Sequence, residues 1–407
     1  MARGSNLSRL GDFNQVVVLD AIRRSTEGIS RVELVGETRL TAQTVSNIVR
    51  RLLDEALVLE GGRVRPTSRG KPRTLLRVNS SARFAVGVHV DPASITYVLI
   101  DIEGSVRSYA RRRTQDTGRP DQVVAGIAAE VQRMIDGAGV DPSLVLGLGV
   151  AAPGPVDVVD GALINPPQLQ GWERVRVRAD LHRATGLHVL LDKDVTAAAT
   201  GERWARGGSR HHFVFCYLGS GVGAGIVMDD LVLRGASNNI GEIGNIVVDC
   251  DGEDVGIGLP GTLAGTCLPQ ALVARGQRRG LLDACVSQND FVAVDDAFTL
   301  LCERAYAGDP GCLGLLDLAS SALASGLAVL VNALDVDRVV LGGPIWSRIS
   351  SHVLNTLPAM IQPQLVAARQ PLAVEGSAVG EHVAAQGAAA LVLDHFLSPR
   401  ASVLMMD

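Results

Sequence analysis

Apolar residues recur at helical spacing from the start of the chain. Val16, Val17, Val18, Leu19 and Ile22 predict a buried first helix over 15–25, and Glu27-Gly28 ends it. Ser30 then reads as an N-cap, with Glu33 three residues later completing a capping box, and the short helix 31–37 buries Val32, Leu34 and Val35. Thr38-Arg39-Leu40 turns the chain, and Thr41 caps a longer helix over 42–55. That helix places Val45, Ile48, Val49, Leu52 and Leu53 on one face, leaving Gln43, Thr44, Ser46, Asn47, Arg50 and Arg51 on the other. Residues 57–60 and 63–66 around Gly61-Gly62 predict a hairpin, because paired glycines supply the positive φ of a two-residue turn. Arg63, Arg65, Arg69, Lys71 and Arg73 crowd in before an apolar strand over 75–78.

From Phe84 the pattern changes to strands alternating with helices. Strands are predicted over 84–90 and 95–101 (a hairpin), 144–151 and 189–191, with amphipathic helices over 121–135 and 195–204. A second set runs from 213–218 through the glycine loop 219–225 and strand segments 226–228 and 231–234. It continues to a helix over 320–334, a strand over 338–341 and an Ala-rich helix over 381–396. Two β-hairpin-plus-βα units in succession predict a duplicated α/β body closing around a cleft. The predicted domains are 1–80, then a first lobe of 81–200 joined by 381–407, and a second lobe of 201–380.

Composition narrows the class. At 407 residues and 47% apolar, the chain is too long for one ordinary core and too apolar to be largely disordered. No unbroken apolar run reaches the roughly 18 residues of a membrane span, and the first residues lack the apolar core of an export signal, so the expected compartment is the cytoplasm. The six cysteines are scattered without CxxC spacing, which fits reduced thiols. Residues 1–80 carry 14 basic and 8 acidic side chains, whereas the whole chain is −5. A basic head on an acidic body suits a head that alone meets a polyanion.

Short polar side chains in the first turn of a helix read base edges, and nearby arginines reach phosphates. Thr41, Gln43, Thr44, Ser46, Asn47, Arg50 and Arg51, with Arg63, Arg65, Arg69 and Lys71 of the basic hairpin, are therefore the expected contacts of a winged helix-turn-helix with double-stranded DNA. The helix alone also fits an ordinary amphipathic helix with a solvated face. The hairpin behind it favours the wing.

Several runs in the body carry a resemblance. The stretch Gly149-Val150-Ala151-Ala152-Pro153-Gly154-Pro155-Val156 is similar to the glycine–proline signature of the ROK family (repressors, open reading frames, kinases). So are Leu218-Gly219-Ser220-Gly221-Val222-Gly223-Ala224-Gly225, Arg234-Gly235-Ala236, Gly241-Glu242-Ile243-Gly244 and the run from Asp335 to Pro344. Arg69-Gly70-Lys71-Pro72 resembles the basic hinge of ROK regulators. The resemblance implies an actin/hexokinase-like ATPase (ribonuclease H-like) duplicated fold behind the winged helix-turn-helix.

It also implies where kinase chemistry would sit, and the chain departs from that pattern. The family's D-x-G-G-T-K loop aligns with His89-Val90-Asp91-Pro92-Ala93-Ser94, replacing the metal-side Asp and both glycines. Proline removes a backbone donor and Asp91 adds negative charge where phosphate would lie. The second loop, 219–225, fits either residual nucleotide binding or a tight strand turn. The family's Glu-Asn-Asp reads Asp192-Lys193-Asp194, which keeps the base at Asp194 and puts Lys193 where the sugar-binding Asn stands. Glu242 is retained, its His partner is Asn245, and Gln168 takes another sugar-binding position. In place of a zinc knuckle stands Ile257-Gly258-Leu259-Pro260-Gly261-Thr262-Leu263-Ala264, so neither a metal nor a cofactor is expected.

The expectation is thus a non-enzymatic regulator of carbohydrate-related genes, at least a dimer, most simply a repressor. Its expected effector is a sugar or sugar derivative held at Gln168, Lys193, Asp194, Glu242 and Asn245. Lys193 would favour an anionic ligand unless it pairs with Asp194 or Glu242, and residues 69–72 would carry lobe movement to the head. A DNA-binding sugar kinase and a DNA-binding dimer without effector are the alternatives.

Overall fold

The computed structural model describes residues 7–25, 27–64, 73–114, 119–167, 169, 171–206, 211–283, 285–366 and 371–397. The head contains α1 (Leu7–Arg24), β1 (Ile29–Ser30), α2 (Arg31–Thr38), α3 (Ala42–Asp54), β2 (Val58–Val64) and β3 (Arg73–Val78). Both halves of the capping box form: the Ser30 hydroxyl accepts from Glu33 N at 3.4 Å and the Glu33 carboxylate accepts from Ser30 N at 2.8 Å. Arg39, in the left-handed region at φ 55°, makes the corner between α2 and α3. Val45, Ile48, Val49 and Leu52 of α3 are buried against Val18, Leu19 and Ile22 of α1, as their spacing predicts.

Gly61-Gly62 does not form the expected turn. β2 runs through it and pairs antiparallel with β3, from Val58↔Val78 to Val64↔Arg73, with the register shifting between Glu60 and Arg63. The reason is burial: this pairing joins Val58 to Val78 in the head core, whereas a turn at 61–62 would leave the apolar strand Arg73–Val78 without this partner. The glycines mark a bulge. The wing connection at 65–72 lies outside the described residues.

The body is built from two sheets of matching topology. In the first, β4 (Phe84–Val90), β5 (Ser94–Asp101) and β6 (Val106–Arg113) form an antiparallel meander. β7 (Val145–Ala152) then lies parallel to β4, and β11 (Val189–Lys193) parallel to β7. Between β7 and β11 stand a small sheet of β8 (Val156–Asp157), β9 (Ala162–Ile164) and β10 (Arg174–Val175), and helix α5 (Val177–Thr185); α4 (Pro120–Gly137) precedes β7. Helix α6 (Asp194–Arg206) follows β11 directly. The second sheet repeats the scheme with β12 (Phe213–Leu218), β13 (Val222–Met228), β14 (Leu231–Val232), β15 (Arg338–Gly342) and β16 (Ala373–Gly376). Between its third and fourth strands stand α7 (Leu263–Cys267), α8 (Pro269–Arg278), α9 (Phe291–Tyr306) and α10 (Pro310–Leu334). α11 (Trp346–Ile361) precedes β16, and α12 (Val383–Leu397) follows it.

Helices α6 and α12 pack on each other, with α12 also against β4 and β7 and α6 against β12 and β13. The pair is the shared inner layer between the two sheets, and its small residues make that possible: Ala197, Ala198, Ala199, Ala384, Ala388 and Ala389 are buried there. Helix α10 is long and apolar enough by composition to cross a membrane, although polar residues interrupt its apolar run. Here Leu315, Leu316, Leu323 and Leu327 are buried in the core of the second half.

Candidate functional site

Parallel strands β7 and β11 end on the same edge, facing the end of β12 across the molecule, and between them lies a cavity of about 320 Å³. Pro153–Pro155 after β7, Lys193, Asp194, Tyr217, Asn239, Glu242 and Asn245 line it. No residue separates the end of β11 from the start of α6, so the predicted Lys193 and Asp194 are held at a strand–helix junction. Asp194 stands at the positive end of the helix dipole, and one of its oxygens accepts from Val195 N at 2.7 Å. Asp192 pairs instead with Arg234 and accepts from Lys193 N at 2.9 Å.

Lys193 is 3% exposed, and its ammonium donates to Ile240 O at 3.2 Å and to Glu242 Oε1 at 2.5 Å. The ion-pair alternative therefore describes Lys193, and the expected attraction for an anionic ligand loses its free charge. Asn239, which sequence reading missed, bridges the halves by accepting from Val156 N at 2.7 Å and donating to Val156 O at 2.9 Å. Its only signal was position, next to Asn238 in the left-handed region after the Arg234-Gly235-Ala236 motif. Glu242 and Asn245 are exposed on the cavity rim, and Gln168 lies outside the described residues.

Burial pushes the Asp194 carboxyl up to about 7, with the Lys193 ammonium opposing the shift. The folded chain thus keeps a proton that an unfolded Asp releases near 4, so this group makes folding stability fall as pH rises from about 4 to about 7 and no further above that. Between those limits thermal unfolding should show the natural chain losing stability relative to Asp194→Asn as pH rises.

Beside the cavity the sequence placed a degenerate phosphate loop. His89 is buried, bonded at 3.0 Å to the Tyr217 hydroxyl, and desolvation holds its imidazole down to about 4, so it is neutral. Asp91 accepts from Ala93 N at 2.9 Å and from the Ser220 hydroxyl at 2.9 Å, and Gln270 donates to Ser220 O at 3.0 Å. The space left among Asp91, Arg111, Ser220, Gln270 and Asp295 is about 10 Å³. Among the described residues no group of three or more His, Cys, Asp or Glu converges as a metal site would require.

In the head, Thr41 caps α3 by accepting from Thr44 N at 3.2 Å, and its hydroxyl lies 2.8 Å from that of Thr44. Gln43 and Asn47 are exposed one turn apart and joined at 3.2 Å. Arg50 and Arg51 are exposed on the same side of the helix, while Thr44 and Ser46 are half-buried. Arg65, Arg69, Lys71 and the side chain of Arg63 lie outside the described residues.

The head also touches the body. Arg23 of α1 lies over the Trp204 ring, 3.8 Å from its centre, and Arg24 approaches Asp230 at 3.9 Å. Trp204 Nε1 donates to Asp394 at 2.7 Å and Arg203 pairs with the same carboxylate at 2.5 Å. Ile102 and Leu397 of the body join the head's apolar core. Trp204 and Arg203 are the last turn of the helix whose first residue is Asp194, so one rigid element of about 20 Å joins cavity and head.

Residues 85–395 match the ROK family. A xylose repressor of Caldicellulosiruptor bescii is 25% identical over 401 residues, 97% of this chain and 98% of its own length. A glucokinase of Halalkalibacterium halodurans is 27% identical over 306 residues, 73% of this chain and 89% of its own. The crystal structure of a ROK family transcriptional regulator, described as a homologue of the E. coli MLC protein, superposes with a TM-score of 0.76 at 22% identity, covering 96% of this chain and 98% of that one. The body accordingly has the actin/hexokinase-like fold that the motifs implied.

Proposed function

The chain belongs to the ROK family, and on that premise we propose that it is a sugar-responsive transcriptional repressor, acting as a dimer on operator DNA. The observation that carries this reading is helix α6, with Asp194 in the cavity at one end and Trp204 under Arg23 of the head at the other. A ligand that reorients the first turn of α6 moves the surface on which the head rests. The route expected through residues 69–72 lies outside the described residues, and α6 supplies a second one.

The effector is a neutral sugar. Asp194 accepts its hydroxyls in a cavity of about 320 Å³, a size suited to a small polyol, and Lys193 is already neutralised by Glu242. The naming of relatives as xylose repressors makes D-xylose the first probe. The chain is not a kinase in this reading, because Asp91 and Ser220 occupy each other where donor phosphates would sit. One observation favours the second reading, a bifunctional sugar kinase: Asp194 has the pKa of about 7 that suits a general base.

The test is retention of DNA selected from random sequence, with D-xylose, D-glucose or N-acetylglucosamine added, using the natural chain and Trp204→Ala. One sugar should change DNA affinity by 5- to 150-fold, a coupling of about 1–3 kcal/mol. Trp204→Ala should keep sugar binding and lose most of that change. Indifference to every sugar would leave a DNA-binding dimer without effector. ADP release with ATP, magnesium and a sugar that vanishes in Asp194→Asn would establish the kinase.

A further inference from the structure

We propose that Arg275 is the positioning residue of the second half of the cavity. Its guanidinium, fixed inside the protein, ties the long excursion 247–262 to helix α8 and thereby sets the segment that bears Glu242 and Asn245. A charged side chain is rarely buried without a reason, and that of Arg275 is 3% exposed. It spends its fork on backbone: Nη1 donates to Gly265 O at 2.9 Å and Nη2 to Glu253 O at 3.3 Å, while Nε lies 3.4 Å from the Glu253 carboxylate. Gly265 belongs to the short helix α7, which ends at Cys267, so the guanidinium satisfies a carbonyl near a helix end that would otherwise be buried without a donor. One turn along α8, Arg278 grips the same loop from outside, 3.1 Å from Glu253 Oε1.

The far side of the excursion reaches the cavity. Leu263 N donates to Ile246 O and Ala264 N to Gly244 O, both at 2.8 Å, and Val247 bridges to Thr262. The chain 241–247 is therefore bonded to the start of α7, which packs on α10 through Leu263 and whose Gly265 carbonyl Arg275 holds. A guanidinium reaches two separated backbone carbonyls and a carboxylate at once because its donors are spread over a planar fork, and a lysine ammonium cannot span them. The consequence for ligand rests on the effector reading. The test reads the loop without ligand, so the two can fail separately.

Thiol labelling of the full-length chain decides it. Cys267 sits at the end of α7 and is buried, as are Cys302 and Cys312 in the surrounding core, which report global opening. In Arg275→Met, Cys267 should label roughly 10- to 100-fold faster, the population ratio set by losing charge-assisted bonds to buried carbonyls, while Cys302 and Cys312 keep their rates. Amide exchange over 241–247 should rise with it and that over 194–206 should not. Arg275→Lys should fall between, and should Arg275→Met fail to fold, it serves in its place. In Arg275→Ala, millimolar guanidinium should restore protection of Cys267. Unchanged labelling of Cys267, a joint rise of all three cysteines, or failure of guanidinium to restore protection would each overturn the assignment.

Discussion

Replacing Arg50 and Arg51 together by alanine should weaken DNA binding roughly 30-fold per head near 0.15 M salt, and lower the slope of log affinity against log salt by about 2 per head. The estimate follows from counterion release: each phosphate neutralised contributes about 0.9 to that slope, or roughly a factor of five at this salt. Both side chains are exposed on α3, beyond the turn that carries Gln43 and Asn47, and they bury no surface whose loss would unfold the head. In a symmetric dimer the effects of the two heads multiply. Asn47→Ala should behave differently, leaving the salt slope in place and relaxing base preference by about 1–3 kcal/mol at one position. Fluorescence anisotropy on selected and scrambled duplexes at three salt concentrations separates the two. Equal salt slopes for the natural chain and the double variant would remove these arginines from the interface.

Gly387→Ala should destabilise the fold by about 3 kcal/mol or more, a fall in melting temperature of roughly 4–6 °C for a body of this size. Two effects compete. Alanine in a helix is favoured over glycine by about 1 kcal/mol, but a Cβ at Gly387 would lie 1.7 Å from Ala197 O and 2.4 Å from Ala197 C. Those atoms are backbone in the first turn of α6 and cannot swing aside, so α6 and α12 must separate and every layer resting on them must follow. Steric cost wins by a wide margin. Gly314→Ala on α10, where a Cβ meets nothing within 4 Å, is the control and should be neutral or stabilising. Calorimetric melting of both variants checks the sign. Because Ala197 stands one turn from Asp194, Gly387→Ala should also weaken sugar binding in whatever fraction folds.

What the sequence by itself determined was most of what is encoded locally, though Val32, expected on the buried face of α2, is exposed. The Ser30–Glu33 capping box, the Thr41 cap and the apolar face of α3 each depend on residues within a turn or two, and each appears where its spacing predicts. The hairpin β4–β5 and the junction of β11 with α6 were legible for the same reason, and the ordered glycine motifs made the duplicated body recognisable. Tertiary structure decided whatever depends on partners far along the chain. Gly61-Gly62 has the chemistry of a turn, but burial of Val58 against Val78 makes it a bulge. Lys193 was open to two readings, a cation available to ligand or the partner of Asp194 or Glu242, and the approach of Glu242, 49 positions away, decided between them. Tyr217 gave no local signal and Asn239 only its place after a glycine motif, because their roles arise from His89, 128 positions away, and Val156, 83 positions away. Spacing along one segment reports which face of that segment is buried, but not what it is buried against. The closing of loops 128 or 191 residues long, as for Tyr217 on His89 and Arg203 on Asp394, is settled only when two sheets and their shared helical layer pack as one body.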